Sequence, residues 1–80
     1  MAKMSVDLRR VKAERVAKGY SQEYMAKMLG WKSRATNSKR ETGKVSLGAD
    51  ELAKIASVLG FSNDELGIFF TITVPKREQN

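Results

Sequence analysis

The sequence predicts a small all-α domain of five short helices, followed by a short extended segment. Three observations predict this fold. The chain has 80 residues, enough for one domain with a single core. Glycines divide it at intervals of helix length, and glycine is the usual residue just past a helix end. Between the glycines, apolar residues recur at helical spacing, often behind a residue that can cap a helix.

The first two helices are predicted from their capping residues. The first covers about residues 6–18, with Ser5 as its cap and Asp7 in its first turn, where a negative charge suits the helix dipole. The second covers residues 21–29, and Ser21 can cap it. A glycine follows each of the two segments and is expected to end the helix.

The third helix, over residues 33–40, has an unusual composition. It carries hardly any large apolar side chain and is rich in Arg, Ser, Thr, Asn and Lys. In a domain this small, a helix that contributes so little to the core is expected to use its side chains on a partner.

The C-terminal elements are predicted by periodicity. Residues 49–59 have one apolar face at helical spacing. The fifth helix opens at Ser62, which stands at capping-box spacing from Glu65, and ends near Phe69. Residues 70–74 alternate apolar and polar side chains, as a strand does. We therefore divide the chain into a helical domain, residues 1–69, and an extended tail, residues 70–80.

Composition excludes several classes of function. The sequence contains no Cys and no His, so disulfides, Cys/His metal sites and His- or Cys-based nucleophilic catalysis are excluded. The domain is also too small for a deep catalytic cleft. We predict that the protein is not an enzyme, needs no cofactor or metal, and takes no small-molecule ligand.

Charge is distributed unevenly along the chain. Residues 1–44 contain 12 Lys and Arg against 4 Asp and Glu, whereas residues 45–80 contain 3 against 5. A basic half is the electrostatic pattern expected of a surface that binds a polyanion such as nucleic acid. The alternative is a solvated basic surface that serves only solubility. No apolar run is long enough to span a membrane and no secretory signal is present, so we expect a cytoplasmic protein with no membrane partner.

The segment over residues 21–41 has the order of a helix-turn-helix motif: a helix, a turn containing Gly30, and a polar second helix. Ala26 is small where the two helices would cross, and Gly30 can adopt the positive φ that the turn needs. Several short motifs follow one another along the chain: Gly19-Tyr20-Ser21-Gln22-Glu23, Met25-Ala26, Leu29-Gly30, Ser38-Lys39-Arg40-Glu41-Thr42-Gly43-Lys44, Leu52-Ala53-Lys54-Ile55-Ala56, Leu59-Gly60-Phe61-Ser62 and Asp64-Glu65-Leu66. On these motifs, residues 8–69 resemble the lambda-repressor-like Cro/CI (XRE) helix-turn-helix domain, of the type found in phage and prophage regulators.

The resemblance implies a set of DNA-contacting residues and one structural ion pair. The second helix of the motif would lie in the major groove, where side chains read base edges. Arg15, near the end of the first helix, would pair with Glu41 and so tie the scaffold to the recognition helix. The residues implied to contact DNA are Gln22, Lys32, Ser33, Arg34, Ala35, Asn37, Ser38, Lys39 and Lys44.

Three of the residues in this region have alternative interpretations. Gln22 would grip a phosphate, or it would be only a suitable residue beside a cap. Arg34 would read guanine with its two-pronged guanidinium, or it would contact another phosphate. Trp31, unusually large for the turn, would pack into the core or stack on a DNA sugar.

The spacing of the motif departs from the family pattern by one residue. Gly30 and Glu41 are eleven positions apart, one more than is commonest in the family, and the extra residue is expected in the turn around Lys32. Asn37 then occupies the position where the family usually buries an Ile, Val or Tyr. If the insertion falls later, Thr36 takes that position instead.

The family usually binds two-fold related half-sites as dimers. We expect a homodimer formed through the fifth helix and the tail, by Leu66, Ile68, Phe69, Phe70, Ile72 and Val74. In the alternative, the tail folds back on its own core.

The function predicted is a double-stranded DNA-binding transcriptional regulator, a repressor that binds a palindromic operator in the cytoplasm of a bacterial or phage-infected cell. The second hypothesis is a protein-binding antitoxin or anti-regulator module whose DNA binding is secondary.

Overall fold

The computed structural model describes residues 3–73, and over these residues the predicted all-α class with five helices is confirmed. A small antiparallel sheet joins the two ends of the described chain. The elements in order are strand β1 (Lys3–Val6), helices α1 (Leu8–Ala17), α2 (Gln22–Met28), α3 (Arg34–Glu41) and α4 (Ala49–Val58), a 3₁₀ helix (Asn63–Phe69) and strand β2 (Phe70–Thr73).

Side-chain caps determine where several of these helices begin. The Ser21 hydroxyl accepts the Tyr24 N–H at 2.9 Å, which confirms the predicted cap of α2. The Ser62 N–H donates to the Glu65 carboxylate at 2.8 Å, as the capping-box spacing predicts. The predicted start of α1 is wrong: Asp7 is its cap and accepts the Arg10 N–H at 3.2 Å.

The start of α1 moves because the residues before it form a strand. β1 pairs antiparallel with β2, with Val6 opposite Phe70 and Met4 opposite Ile72. The Asp7 N–H continues the ladder by donating to the Phe69 carbonyl at 2.6 Å. The strand predicted at residues 70–74 is present over Phe70–Thr73, whereas Val74 and the rest of the predicted tail lie outside the described residues.

A single core lies between α1, α2, α4 and the 3₁₀ helix. Its buried apolar members are Val11, Met25, Leu52, Ile55, Ala56, Leu59 and Phe69. Phe61 packs edge-on against Phe69, with ring centroids 5.3 Å apart, an arrangement that aromatic quadrupoles favour. Within residues 3–73, no helix combines the length and the apolarity needed to cross a membrane. Helix α3 contributes no large apolar side chain to this core, which agrees with the composition of its sequence.

Candidate nucleic-acid interface

The turn between α2 and α3 sets the direction of the recognition helix. Gly30 has φ of +75°, a conformation that costs residues with a Cβ atom about 1–2 kcal/mol. The next N–H, from Trp31, donates to the Ala26 carbonyl at 2.8 Å. Ser33, the cap of α3, has an extended backbone conformation, and its side chain makes no capping hydrogen bond.

A bidentate ion pair fastens the C-terminal end of α3 to α1. Arg15 Nε lies 2.6 Å from Glu41 Oε2, and Arg15 Nη2 lies 3.2 Å from Glu41 Oε1. The third nitrogen, Nη1, donates to the Tyr20 carbonyl at 2.7 Å. Only 10% of the Arg15 side chain and 5% of the Glu41 side chain are exposed. The structure thus brings together the two residues that the family resemblance pairs.

Two amides complete the environment of the Glu41 carboxylate. Asn37 Nδ2 donates to Oε2 at 3.3 Å, and Gln22 Nε2 donates to Oε1 at 3.4 Å. Both are long for hydrogen bonds to a carboxylate. The Glu41 carboxylate therefore receives donors from α1, α2 and α3, and it holds three helices in one arrangement.

Arg40, the residue before Glu41, fixes the opposite side of the recognition helix. Its guanidinium lies 4.7 Å above the Trp31 ring, at a cation–π distance. Nε donates to Glu51 of α4 at 3.0 Å, and Nη1 donates to the Thr36 carbonyl at 2.9 Å. This role was not predicted, because in the sequence Arg40 is one more basic residue of α3.

The contact with Arg40 also affects the titration of Glu51. The hydrogen bond from Arg40 lowers the pKa of Glu51 below its ordinary value, and the Gly48 N–H adds to this effect. Partial burial acts in the opposite direction and does not cancel it. Glu51 is therefore held in its charged form beside Arg40.

Trp31 packs against the core and under Arg40. It is partly buried against the main apolar cluster, so of its two interpretations the structure shows the packing one. The large ring fills space beside α3, whose own side chains are small or polar.

Glu41 and Arg40 bind α3 to the rest of the fold, and one stripe of its side chains faces solvent. Arg34, Ala35 and Lys39 are exposed, and Ser38 is half-buried beside them. Lys32, Ser33 and Lys44, also exposed, flank the stripe before and after the helix. Within residues 3–73, the side chains of Arg34, Ser38 and Lys39 form no ion pair or hydrogen bond. The stripe is therefore basic, and the fold makes no use of its polar groups.

Two of the predicted DNA contacts point inward instead. Asn37 is only 2% exposed, so its prediction as a base reader is wrong: it occupies the buried position that the one-residue insertion in the turn implies, whereas Thr36 is half-buried. Gln22 is half-buried, and its Oε1 atom is buried without a partner within the described residues. Its amide faces Glu41, so gripping a phosphate requires a change of rotamer.

The residues predicted for a dimer interface differ in how far they are exposed. Leu66, Ile68 and Phe70 are half-buried and pack against the core. Phe69 is fully buried in the protomer's own core and offers a partner no surface, which removes it from the predicted interface. Ile72 is 62% exposed, and its cross-strand neighbour Met4 is 64% exposed.

Among the described residues no group of three or more acidic side chains could hold a metal ion. The chemistry of this surface is instead that of exposed cations and small polar groups on an anchored helix, which suits the phosphates and base edges of duplex DNA.

Comparison with known proteins agrees with this geometry. The family model HTH_3, described as helix-turn-helix, matches residues 11–66, more than half of the chain. Searches of curated proteins and of solved structures give no significant match. The matched segment contains α2, the turn and α3 together with the anchoring contacts of Arg15, Arg40 and Glu41. The chain therefore belongs to the Cro/CI (XRE) type of the helix-turn-helix family, and it is a DNA-binding domain of a transcription regulator.

Proposed function

We propose that this protein is a sequence-specific repressor that binds a palindromic operator as a homodimer. Helix α3 enters the major groove, Arg34 reads guanine, and Ala35 and Ser38 contact neighbouring base edges. Lys32, Ser33, Lys39 and Lys44 contact phosphates, and Gln22 joins them once its amide turns outward. Repression follows from occupation of the operator, which excludes polymerase from the promoter.

One observation carries this proposal: the exposed stripe of α3 has side chains suited to DNA while the C-terminal end of the helix is anchored. Arg40 and Glu41 each bind two other parts of the fold. Such anchoring limits the conformational entropy that α3 can lose when it binds. The side chains that the fold leaves unused are the ones available for base and phosphate contacts.

The proposal of a homodimer rests on the exposed end of the two-stranded sheet. Met4 and Ile72 lie on the same face as Val6 and Phe70, which pack against the core. The apolar face of the two-stranded sheet thus extends past the residues that the core covers. An exposed apolar strand with an open edge is prone to pair with another chain, and a second copy would cover it. Residues Leu66 and Ile68 are the adjoining part of the proposed interface.

Selection from random duplex DNA at near-physiological salt tests the proposal. We expect enrichment of an inverted repeat whose half-sites are about one helical turn apart. The Arg34→Ala variant is expected to lose or change one position in each half-site. Lys12→Ala, which removes one exposed positive charge from α1, serves as the matched control and is expected to keep the same motif.

Transcription from a promoter that contains the enriched motif then tests repression directly. Addition of the protein is expected to reduce the transcript, and Arg34→Ala to reduce it less. No enriched sequence, together with binding that disappears in moderate salt, would leave only nonspecific attraction to phosphates. A transcript that increases would replace repression with activation.

A further inference from the structure

Glu23 and Arg34 line the same clefts at the mouth of the helix-turn-helix. Both residues line the shallow cleft bounded by Lys27, Trp31 and Ser33, and both also line the neighbouring cleft beside Arg15 and Gln22. Glu23 lies in the first turn of α2, and Arg34 is the first residue of α3. The two exposed side chains therefore share the groove between the starts of the two helices.

Both Glu23 and Arg34 occupy electrostatically unfavourable positions. A carboxylate at this place lies among the groups proposed to contact DNA and would repel phosphates. Arg34 stands at the N-terminal end of α3, where the helix dipole disfavours a positive charge. Within residues 3–73, neither residue forms an ion pair that would offset the cost.

The hydrogen-bond donors of the Arg34 guanidinium explain why a carboxylate beside it can be useful. Arginine has five N–H donors in a planar fork, and guanine uses two of them through its O6 and N7 atoms. A neighbouring carboxylate can accept from the remaining donors and hold the plane of the guanidinium. A carboxylate also raises the free energy of poses in which Arg34 merely contacts a phosphate beside it.

We propose that Glu23 is a specificity-determining residue, which acts by holding Arg34 for base reading and by weakening phosphate-only binding. The inference rests on the proposed role of Arg34 in the major groove. Glu23 is a positioning residue in this scheme and contacts no base itself. Its removal is expected to strengthen binding to nonoperator DNA while it weakens discrimination at the position that Arg34 reads.

A structural role for Glu23 predicts a different result. An acid in the first turn of a helix stabilises it through the dipole, and Asp50 has the same place in α4. Glu23→Gln and Asp50→Asn each remove one exposed negative charge from a first turn. Asp50→Asn is therefore the matched control for charge and for helix stability.

The experiment measures affinity for the selected operator and for operators changed at the single base pair that depends on Arg34. The full chain is used as wild type, Glu23→Gln, Asp50→Asn, Arg34→Ala and the double variant Glu23→Gln/Arg34→Ala. We expect Glu23→Gln to lower the ratio of the affinity for the selected operator to that for the changed operator by about fivefold or more. This is a large part of the discrimination that one bidentate contact provides. Asp50→Asn is expected to leave the ratio unchanged.

The double variant decides whether Glu23 acts through Arg34. When Arg34 is absent, Glu23→Gln is expected to cause no further loss of discrimination. An unchanged ratio in Glu23→Gln, or an equal loss with and without Arg34, would overturn the inference while the role of Arg34 stands. If Arg34→Ala itself leaves the base preference intact, the proposed function of Arg34 fails first, and the two failures are distinguishable.

Discussion

Removal of Arg15 alone is predicted to destabilise the fold strongly, because it leaves the buried Glu41 charge without its partner. Arg15→Met keeps an unbranched side chain of similar reach and removes the charge. It leaves the Glu41 carboxylate, 5% exposed, with only the two long bonds from Asn37 and Gln22, at 3.3 and 3.4 Å. It also deprives the Tyr20 carbonyl of its donor at 2.7 Å.

The magnitude follows from the burial of the charge that remains. Removal of one partner from a buried ion pair costs about 3–5 kcal/mol, because the other charge stays desolvated. A chain of this length has a free energy of unfolding of about 4–12 kcal/mol. Arg15→Met is therefore expected to remove a large part of the stability. The double variant Arg15→Met/Glu41→Leu replaces both charges with apolar groups and is expected to recover much of the loss.

Urea denaturation followed by circular dichroism measures the double variant and the two single variants, Arg15→Met and Glu41→Leu. We expect a coupling energy between Arg15 and Glu41 of about 2–3 kcal/mol, within the range for residues in direct contact. Arg10→Met serves as the control, because Arg10 pairs with Glu14 on the surface of α1 at 2.8 Å and such a pair contributes about 0.5 kcal/mol. Equal effects of Arg15→Met and Arg10→Met would refute the reasoning.

Three further predictions concern the turn, the interior of α3 and the contact with α4. Gly30→Ala is expected to lower the free energy of unfolding by about 1–2 kcal/mol, as measured by urea denaturation, because φ there is +75°; a neutral effect would contradict the turn geometry. Asn37→Asp, which buries a second carboxylate beside Glu41, is expected to destabilise far more than Asn37→Leu, and equal thermal midpoints would contradict this placement. Glu51→Gln is expected to cost about 0.5–1 kcal/mol at neutral pH, because it removes the pair with Arg40. The pKa of Glu51 is lowered in the fold, so this difference in stability shrinks as the pH falls below 4.5 in thermal unfolding, whereas a difference that persists in acid would contradict it.

The helices and their caps were largely predictable because the signals are local. Ser21 and Ser62 cap the helices that their spacing predicts, and Gly30 ends α2 with a positive φ. The start of α1 was not predictable in the same way. Ser5 and Asp7 are both good caps in the sequence, and only the pairing of β1 with β2 makes Asp7 the one that is used.

The candidate site was predictable to different degrees. The pairing of Arg15 with Glu41 came from the resemblance to a family, since nothing local relates residues 26 positions apart. The contacts of Arg40 with Trp31 and Glu51 were not predicted, because the two partners lie before and after Arg40 in the chain at separations with no regular period. Asn37 was predicted both to contact DNA and to occupy a position that the family usually buries. Its side chain is buried, so only the second prediction agrees with the structure.

The sequence by itself determined the class of the domain, the order of its helices, the basic character of its first half and its membership of a DNA-binding family. The class, the helix order and the charge depend on composition, on helical spacing and on capping residues, which act over a few positions. The family follows instead from the motifs that resemble it and from the family model that matches residues 11–66. The tertiary structure decided which polar side chains are used by the fold and which remain free. That division depends on contacts between distant helices, and it separates Asn37, bound to Glu41, from Arg34, which stands exposed at the start of the recognition helix.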